Sequence, residues 1–172
     1  MSARQLSQAI HRHQVSCREV MQAFLAQIAR HNPTHNAIVN LQDTEGLMKQ
    51  ADQHDAMLAQ GRSMGWMHGM PIAIKDLAAT AGIQTTQGSP LLKDFVPSED
   101  SAMVGRIRRA GAIVIGKTNV PEFGLGSHSF NEVFGATANA YDTTKTAGGS
   151  SGGAAVALAM RMLPVADGSD FM

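Results

Sequence analysis

Ser101-Ala-Met-Val-Gly-Arg-Ile-Arg-Arg-Ala-Gly111-Ala-Ile-Val-Ile115 is the stretch that sets the fold class. Asp100 or Ser101 is placed to cap a helix that runs through Arg109, since a short oxygen-bearing side chain can accept from one of a helix's first free amides. Gly111 closes that helix, and Ala112-Ile-Val-Ile115 then reads as a buried strand. Helix, glycine and strand in that order form the repeating step of a parallel α/β unit. Upstream, Pro71-Ile-Ala-Ile-Lys75 is a second buried strand. Downstream, Gly152 to Arg161 reads as a helix, with Leu163-Pro-Val-Ala166 as a strand after it. The expected class is α/β, a mostly parallel mixed sheet flanked by helices.

Glycine usage divides the chain. Only Gly46 of the 17 glycines falls in the first 60 residues, so residues 1–62 are expected to form a helical layer and residues 63–172 the α/β core. Within the layer, Ser16-Cys-Arg-Glu19 reads as a capping box, and Val20, Met21, Phe24, Leu25 and Ile28 recur at helical spacing until Pro33, which is expected to end the run. A shorter helix around Leu6 and Ile10 precedes it. Ile38-Val-Asn-Leu41 is a candidate short strand, and Asp43 to Gln60 a helix with Leu47, Ala51 and Leu58 on one face and Gly61 as its stop.

Composition excludes several function classes. Lys plus Arg and Asp plus Glu number 14 each, and the zero formal charge argues against a general electrostatic grip on nucleic acid or an acidic membrane. Hydrophobic residues at 44% against 16% charged supply a core and argue against disorder. Aromatics are only 5%, so the 11 methionines are expected to share the packing. Cys17 alone rules out an internal disulfide framework and fits a reducing compartment. No secretion signal opens the sequence, and its longest apolar run, Ala154 to Met160, is far short of the ~20 residues that cross a bilayer. A soluble, cytoplasmic protein is expected.

Two short motifs match nucleotide and hydrolase patterns without their context. Gly111 to Thr118 fits G-x-x-x-x-G-K-[ST], but the middle four residues read as a strand, where phosphate binding needs a loop that leads into a helix. Gly148-Gly-Ser150-Ser-Gly152 fits the nucleophile elbow G-x-S-x-G, yet the polar Tyr141 to Ala147 ahead of it makes a poor buried strand. The same glycine-rich stretch, set just before an apolar helix, reads instead as a ligand site whose amides suit an anion or a developing oxyanion. Lys75 ends an apolar strand; burial would lower its proton affinity and make it a general base, while Asp76 beside it points to the opposite face. The seven histidines show no metal-ligand spacing and read as surface residues.

Three motifs in order then resemble a known family. Gly69-Met-Pro-Ile-Ala-Ile-Lys75-Asp76, Gly116-Lys-Thr-Asn-Val-Pro-Glu-Phe-Gly124 and Gly148-Gly-Ser-Ser-Gly-Gly153 are similar to the amidase signature family of serine hydrolases, from about residue 16 onward. The resemblance implies that family's fold and a Ser–Ser–Lys relay, with Lys75 as neutral base and Ser150, on a cis peptide, as the bridging serine 75 residues later. It places Gly148, Gly149, Ser151, Asp170, Phe171 and Met172 in the loop around the substrate carbonyl. Gly168-Ser-Asp-Phe-Met172 matches the first five positions of the family's G-[ST]-D-x-x-G-S, so the nucleophile is expected at position 174, outside the chain. Ser151 and Ser169 stand at the wrong offset to replace it.

These 172 residues are therefore expected to be the N-terminal portion of a longer amidase, inactive alone. The resemblance implies a small amide substrate, no cofactor and no metal, no nucleic acid or membrane partner, and leaves a homodimer open. Phe171 and Met172 stand where many members have Thr and Gly, which bears on substrate class. Pro121-Glu-Phe-Gly124 looks more like a stand-alone amidase than the catalytic component of a tRNA-dependent amidotransferase, the alternative reading. A short binding domain without catalysis is the third.

Overall fold

A computed structural model describes residues 1–170 of the chain. Its first part is α1 (Ala3–His11), α2 (Cys17–His35), β1 (Ile38–Val39) and α3 (Thr44–Ala59). The capping box of α2 is complete: the Ser16 hydroxyl accepts the Glu19 amide at 3.0 Å, and the Glu19 carboxylate accepts the Ser16 amide at 2.8 Å. Asp55 of α3 adds a tertiary cap, accepting the amides of Cys17 at 2.7 Å and Arg18 at 3.0 Å. Asp43 caps α3, whose Leu47, Ala51 and Leu58 are buried as the pattern requires.

Pro33 does not end α2, contrary to expectation. A proline in the last turn removes only one helical bond, and Asn32 holds the backbone beyond it. Its carbonyl accepts the Asn36 amide at 2.7 Å, and its side chain accepts the amides of Ala37 and Ile38. The helix stops at Asn36, which adopts the left-handed conformation.

The second part contains β2 (Pro71–Lys75), α4 (Ala102–Arg109), β3 (Ile113–Thr118), a small hairpin of β4 (Phe130–Asn131) and β5 (Gly135–Ala136), and α5 (Gly152–Ala159). Ser101, not Asp100, caps α4, and Asp100 instead pairs with Arg108 at 3.0 Å. Gly111 follows with φ +96°, and a Cβ there would lie 2.7 Å from the His68 backbone. That close approach lets Gly69 donate to the Gly111 carbonyl and Ile113 to the Met70 carbonyl, which starts the parallel pairing of β2 with β3.

The sheet order is β1-β3-β2. The parallel pairing covers all of β2, and the antiparallel one joins only Ile38 and Val39 to β3. Side chains alternate between two cores. Ala73, Ile113 and Ile115 face α1, α2, α3 and α5, while Ile72, Ile74 and Val114 face Met67, Ile83 and Val104. The register slips once: Ile72 pairs with Val114 but Ala73 with Gly116, so Ile115 is an extra residue in β3.

The strand expected at Leu163–Ala166 does not form. Leu163 is buried, but the segment joins no sheet among the described residues. Pro164 has no amide to donate, and the free edge of β2 is met by the Asp167 side chain instead. No helix among the described residues is long and apolar enough to cross a membrane.

Candidate active site

The site forms where β2 ends. Lys75 shares a face with Ala73, under α5, and is 1% exposed. Its Nζ lies 2.7 Å from Ser150 Oγ, 2.9 Å from Ser151 Oγ and 2.8 Å from Ser169 Oγ, with the Ser169 carbonyl at 3.3 Å. Burial lowers the proton affinity of Lys75 from the ordinary lysine value, and the Asp167 and Asp170 carboxylates oppose the shift. Three hydroxyls thus surround an amine that is more readily neutral than a surface lysine.

Ser150 is held by the loop before α5. The Gly149–Ser150 peptide is cis. The Ser129 amide donates to the Gly148 carbonyl at 2.8 Å, and the Ser129 hydroxyl donates to the Ser150 carbonyl at 3.3 Å. Gly153 fits α5 against the sheet: a Cβ there would lie 2.4 Å from the Asn119 nitrogen and 2.7 Å from the Ala37 carbonyl oxygen. Ser151 occupies the N-cap of α5 but makes no side-chain cap bond. Its hydroxyl faces Lys75 and accepts the Ser169 amide at 3.2 Å.

The glycine-rich stretch is less open to an anion than its sequence implies. The Gly152 amide donates to Ser129 Oγ at 2.9 Å and the Gly153 amide to the Asn119 carbonyl at 3.2 Å. An open cavity of about 360 Å³ nevertheless lies over the cluster, lined by Gly149, Ser150, Ser151, Ala155, Ser169 and Asp170. Phe171 and Met172 lie outside the described residues.

Lys117, the lysine of the phosphate-loop match, lies within β3 and is fully buried. Its Nζ donates to the Ala78 carbonyl at 2.6 Å, Thr80 Oγ1 at 2.9 Å and Thr85 Oγ1 at 3.1 Å. Burial pulls its pKa down to about 8 against the pull of Asp76, Asp167 and Asp100. Asp76, also buried, accepts the Thr86 hydroxyl at 2.6 Å and belongs to this second cluster.

Sequence reasoning brings Lys75 and Ser150 together and puts Ser151 beside them, but it gives Ser169 no place at the lysine, sets Lys117 aside with the phosphate-loop match and passes over Asp167. The signal for Ser169 is its spacing in the Gly168-Ser-Asp motif; nothing local marks Lys117 as buried. The histidines need correction too: His68 is fully buried and His35 nearly so. His68 Nδ1 accepts the Met64 amide at 3.1 Å and Nε2 meets the His54 carbonyl at 3.0 Å, so a tight backbone turn satisfies the ring without solvent.

A sheet-edge lysine enclosed by serines, two of them on a glycine-rich loop ahead of a helix, defines a buried lysine–serine site on an α/β fold. The chain belongs to the Amidase family, whose model matches residues 19–171. It is 44% identical over 169 residues to the A subunit of the glutamyl-tRNA(Gln) amidotransferase of Azoarcus sp. (strain BH72), covering 98% of this chain and 34% of that one. The native peptide amidase of Stenotrophomonas maltophilia superposes with a TM-score of 0.87 at 32% identity, over 96% of this chain and 35% of its own. A bacterial aryl acylamidase of the amidase signature family gives a TM-score of 0.89 at 31% identity, over 96% and 34%. The chain spans about a third of the length of these relatives.

Proposed function

We propose that these residues are the proton-relay half of an amide-hydrolysing site, completed by a serine at position 174, outside the chain. The observation that carries this reading is the 2.7 Å contact between Lys75 Nζ and Ser150 Oγ beneath an open cavity. Lys75 is the neutral base. As the attacking serine oxygen bonds to the amide carbon, its proton passes through Ser150 to Lys75 Nζ. The C–N bond then breaks while that proton returns through Ser150 to the departing nitrogen. Ammonia or an amine leaves, and water cleaves the acyl-enzyme with the same two groups moving its proton. Gly148, Gly149, Ser151 and Asp170 would surround the carbonyl of a small amide, in a cytoplasmic protein without cofactor or metal.

A second reading, the catalytic component of an amidotransferase, is favoured by the 44% identity to the Azoarcus protein over nearly the whole chain. Released ammonia would then be passed on, and tRNA would be among the partners, which zero net charge does not forbid. The test is ammonia release by a protein carrying the serine at 174, from simple carboxamides and from glutamine. Lys75→Met or Ser150→Ala should each lower it by about 10²–10⁴-fold, and the 172-residue chain should release none. Undiminished release by Lys75→Met would overturn the assignment of the base. Glutamine turnover only with partner subunits would select the second reading.

A further inference from the structure

Asp167 is a carboxylate at the site for which the relay has no use. Its Oδ1 accepts the backbone amide of Lys75 at 2.9 Å. That amide faces the edge of β2 away from β3, whereas the next one, of Asp76, donates to the Thr118 carbonyl at 3.1 Å in the parallel ladder. A side chain thus stands where a further strand would pair. The same carboxylate lies in the field of two buried lysines on opposite faces of the sheet. Hydrogen bonds of Lys75 Nζ and of Lys117 Nζ run to hydroxyls and one carbonyl each. Negative charge reaches Lys75 from Asp167 and Asp170, and reaches Lys117 from Asp76, Asp167 and Asp100. Asp167 is common to both.

We propose that Asp167 is a positioning residue for Lys75: its carboxylate fixes the end of β2 through the Lys75 backbone amide and so holds a negative charge at the root of the Lys75 side chain. Among the described residues, few groups surround Lys75. Ser150 and Ser151 face it from the loop before α5, and Ser169, Asp167 and Asp170 from the C-terminal segment. The sequence of α5, Gly-Gly-Ala-Ala-Val-Ala-Leu-Ala, carries no charge. Thr118 is its register partner on β3. With Asp167 neutralised, Lys75 loses an attraction that favours its cation and becomes a free base at lower pH. The inference rests on the relay reading only where it touches catalysis; placement and titration are properties of the chain itself.

The experiment is an NMR titration of the 172-residue chain labelled with ¹³C at lysine Cε, the Lys75 signal being assigned by its loss in Lys75→Met. Asp167→Asn keeps an oxygen acceptor of the same size for the Lys75 amide and removes the charge. Its Lys75 midpoint should fall by roughly one pH unit, and Asp167→Glu should restore most of the difference. An unchanged or higher midpoint in folded Asp167→Asn overturns the proposal. Should that variant not fold, the reciprocal measurement decides: the Asp167 carboxyl must titrate at higher pH in Lys75→Met, because coupling between two sites acts equally on both. An unmoved Asp167 midpoint there also overturns it. Neither titration needs turnover, so failure of the relay reading would show separately, as undiminished activity of Lys75→Met in the longer protein. In that longer protein the acid limb of kcat/KM should move to lower pH in Asp167→Asn.

Discussion

Lys75 and Lys117 leave neighbouring parallel strands on opposite faces of the sheet, one register position apart. In an unbroken strand Lys117 would share the face of Ile115, two residues before it. The extra residue at Ile115 reverses this, because Gly116 then opposes Ala73 and Lys117 opposes Ile74. One lysine therefore faces the serines and the cavity, and the other a closed pocket of threonines. A single bulge separates a lysine held among serines from one held among threonines.

The closed lysine should be visible in the alkaline stability of the chain. Lys117 titrates at about 8 when folded against 10.5 ordinarily, so between these values the unfolded chain holds a proton that the folded chain has lost. Stability then rises with pH, at up to about 1.4 kcal/mol per pH unit, and Lys75 contributes in the same direction. Cys17 acts oppositely: burial and Asp55 push its thiol from 9.0 up to about 12, so stability falls once the unfolded thiol ionises. Urea unfolding should show stability climbing from pH 8 to 9, flattening, and then falling. Lys117→Met should reduce the climb to what Lys75 contributes, and Cys17→Ala should delay the fall.

Catalysis by a protein that carries the nucleophile should require deprotonated Lys75. The acid limb of its pH–rate profile should have a midpoint below 10.5, the ordinary lysine value, because burial favours the neutral amine. Lys75→Arg should be as damaged as Lys75→Met, since a guanidinium stays protonated and cannot serve as a base. Arginine activity within tenfold of wild type, measured as ammonia release, would refute the role.

Much of the fold is legible where the signal is local. The Ser16 capping box, the apolar runs of β2 and β3, and the helix stop at Gly111 all act within a few residues. The misreadings come from longer range. Pro33 reads as a stop because the Asn32 side chain that stabilises the turn beyond it cannot be anticipated from periodicity. Leu163–Ala166 reads as a strand because it is apolar, whereas its edge position is taken by Asp167. Ser169 has the wrong offset for a nucleophile, yet its hydroxyl reaches Lys75 from 94 residues away. The bulge at Ile115 leaves no mark in the run Ala112-Ile-Val-Ile115, so the burial of Lys117 is hidden with it.

His68 should make the chain acid-sensitive. Its two ring nitrogens are matched to the Met64 amide and the His54 carbonyl, which fits a neutral ring protonated at Nε2 and leaves no acceptor for a second proton at Nδ1. Burial, then the neighbouring His54 and His11, lower its proton affinity, while the His54 carbonyl and Asp55 partly offset them. The unfolded chain therefore gains a proton near 6.5 before the folded chain does, and stability drops as pH falls through that value. Comparing urea midpoints at pH 7.5 and 5.5 should show a loss that His68→Gln reduces. An equal loss in the variant would place the acid sensitivity elsewhere.

Gly153→Ala should cost more than any other single methyl addition at the site. The new Cβ would meet backbone atoms, the Asn119 nitrogen at 2.4 Å, the Asn119 oxygen at 2.6 Å and the Ala37 oxygen at 2.7 Å, and no side chain can rotate out of its way. The alternatives are to lift α5 from the sheet or to move β1 and β3 apart, and overpacking of this kind costs about 1–3 kcal/mol or more. Gly61→Ala is the control. There the strain is conformational, at φ +70°, with nothing within 4 Å of the added carbon, so a loss of about 1 kcal/mol is expected. Because α5 begins two residues after Ser150, displacement of the helix should also pull Ser150 from Lys75. The Lys75 Cε titration should then change in Gly153→Ala and stay the same in Gly61→Ala, even at temperatures where both variants are fully folded. Equal destabilisation of the two would mean that α5 is not seated as closely on the sheet as the Gly153–Asn119 contact requires.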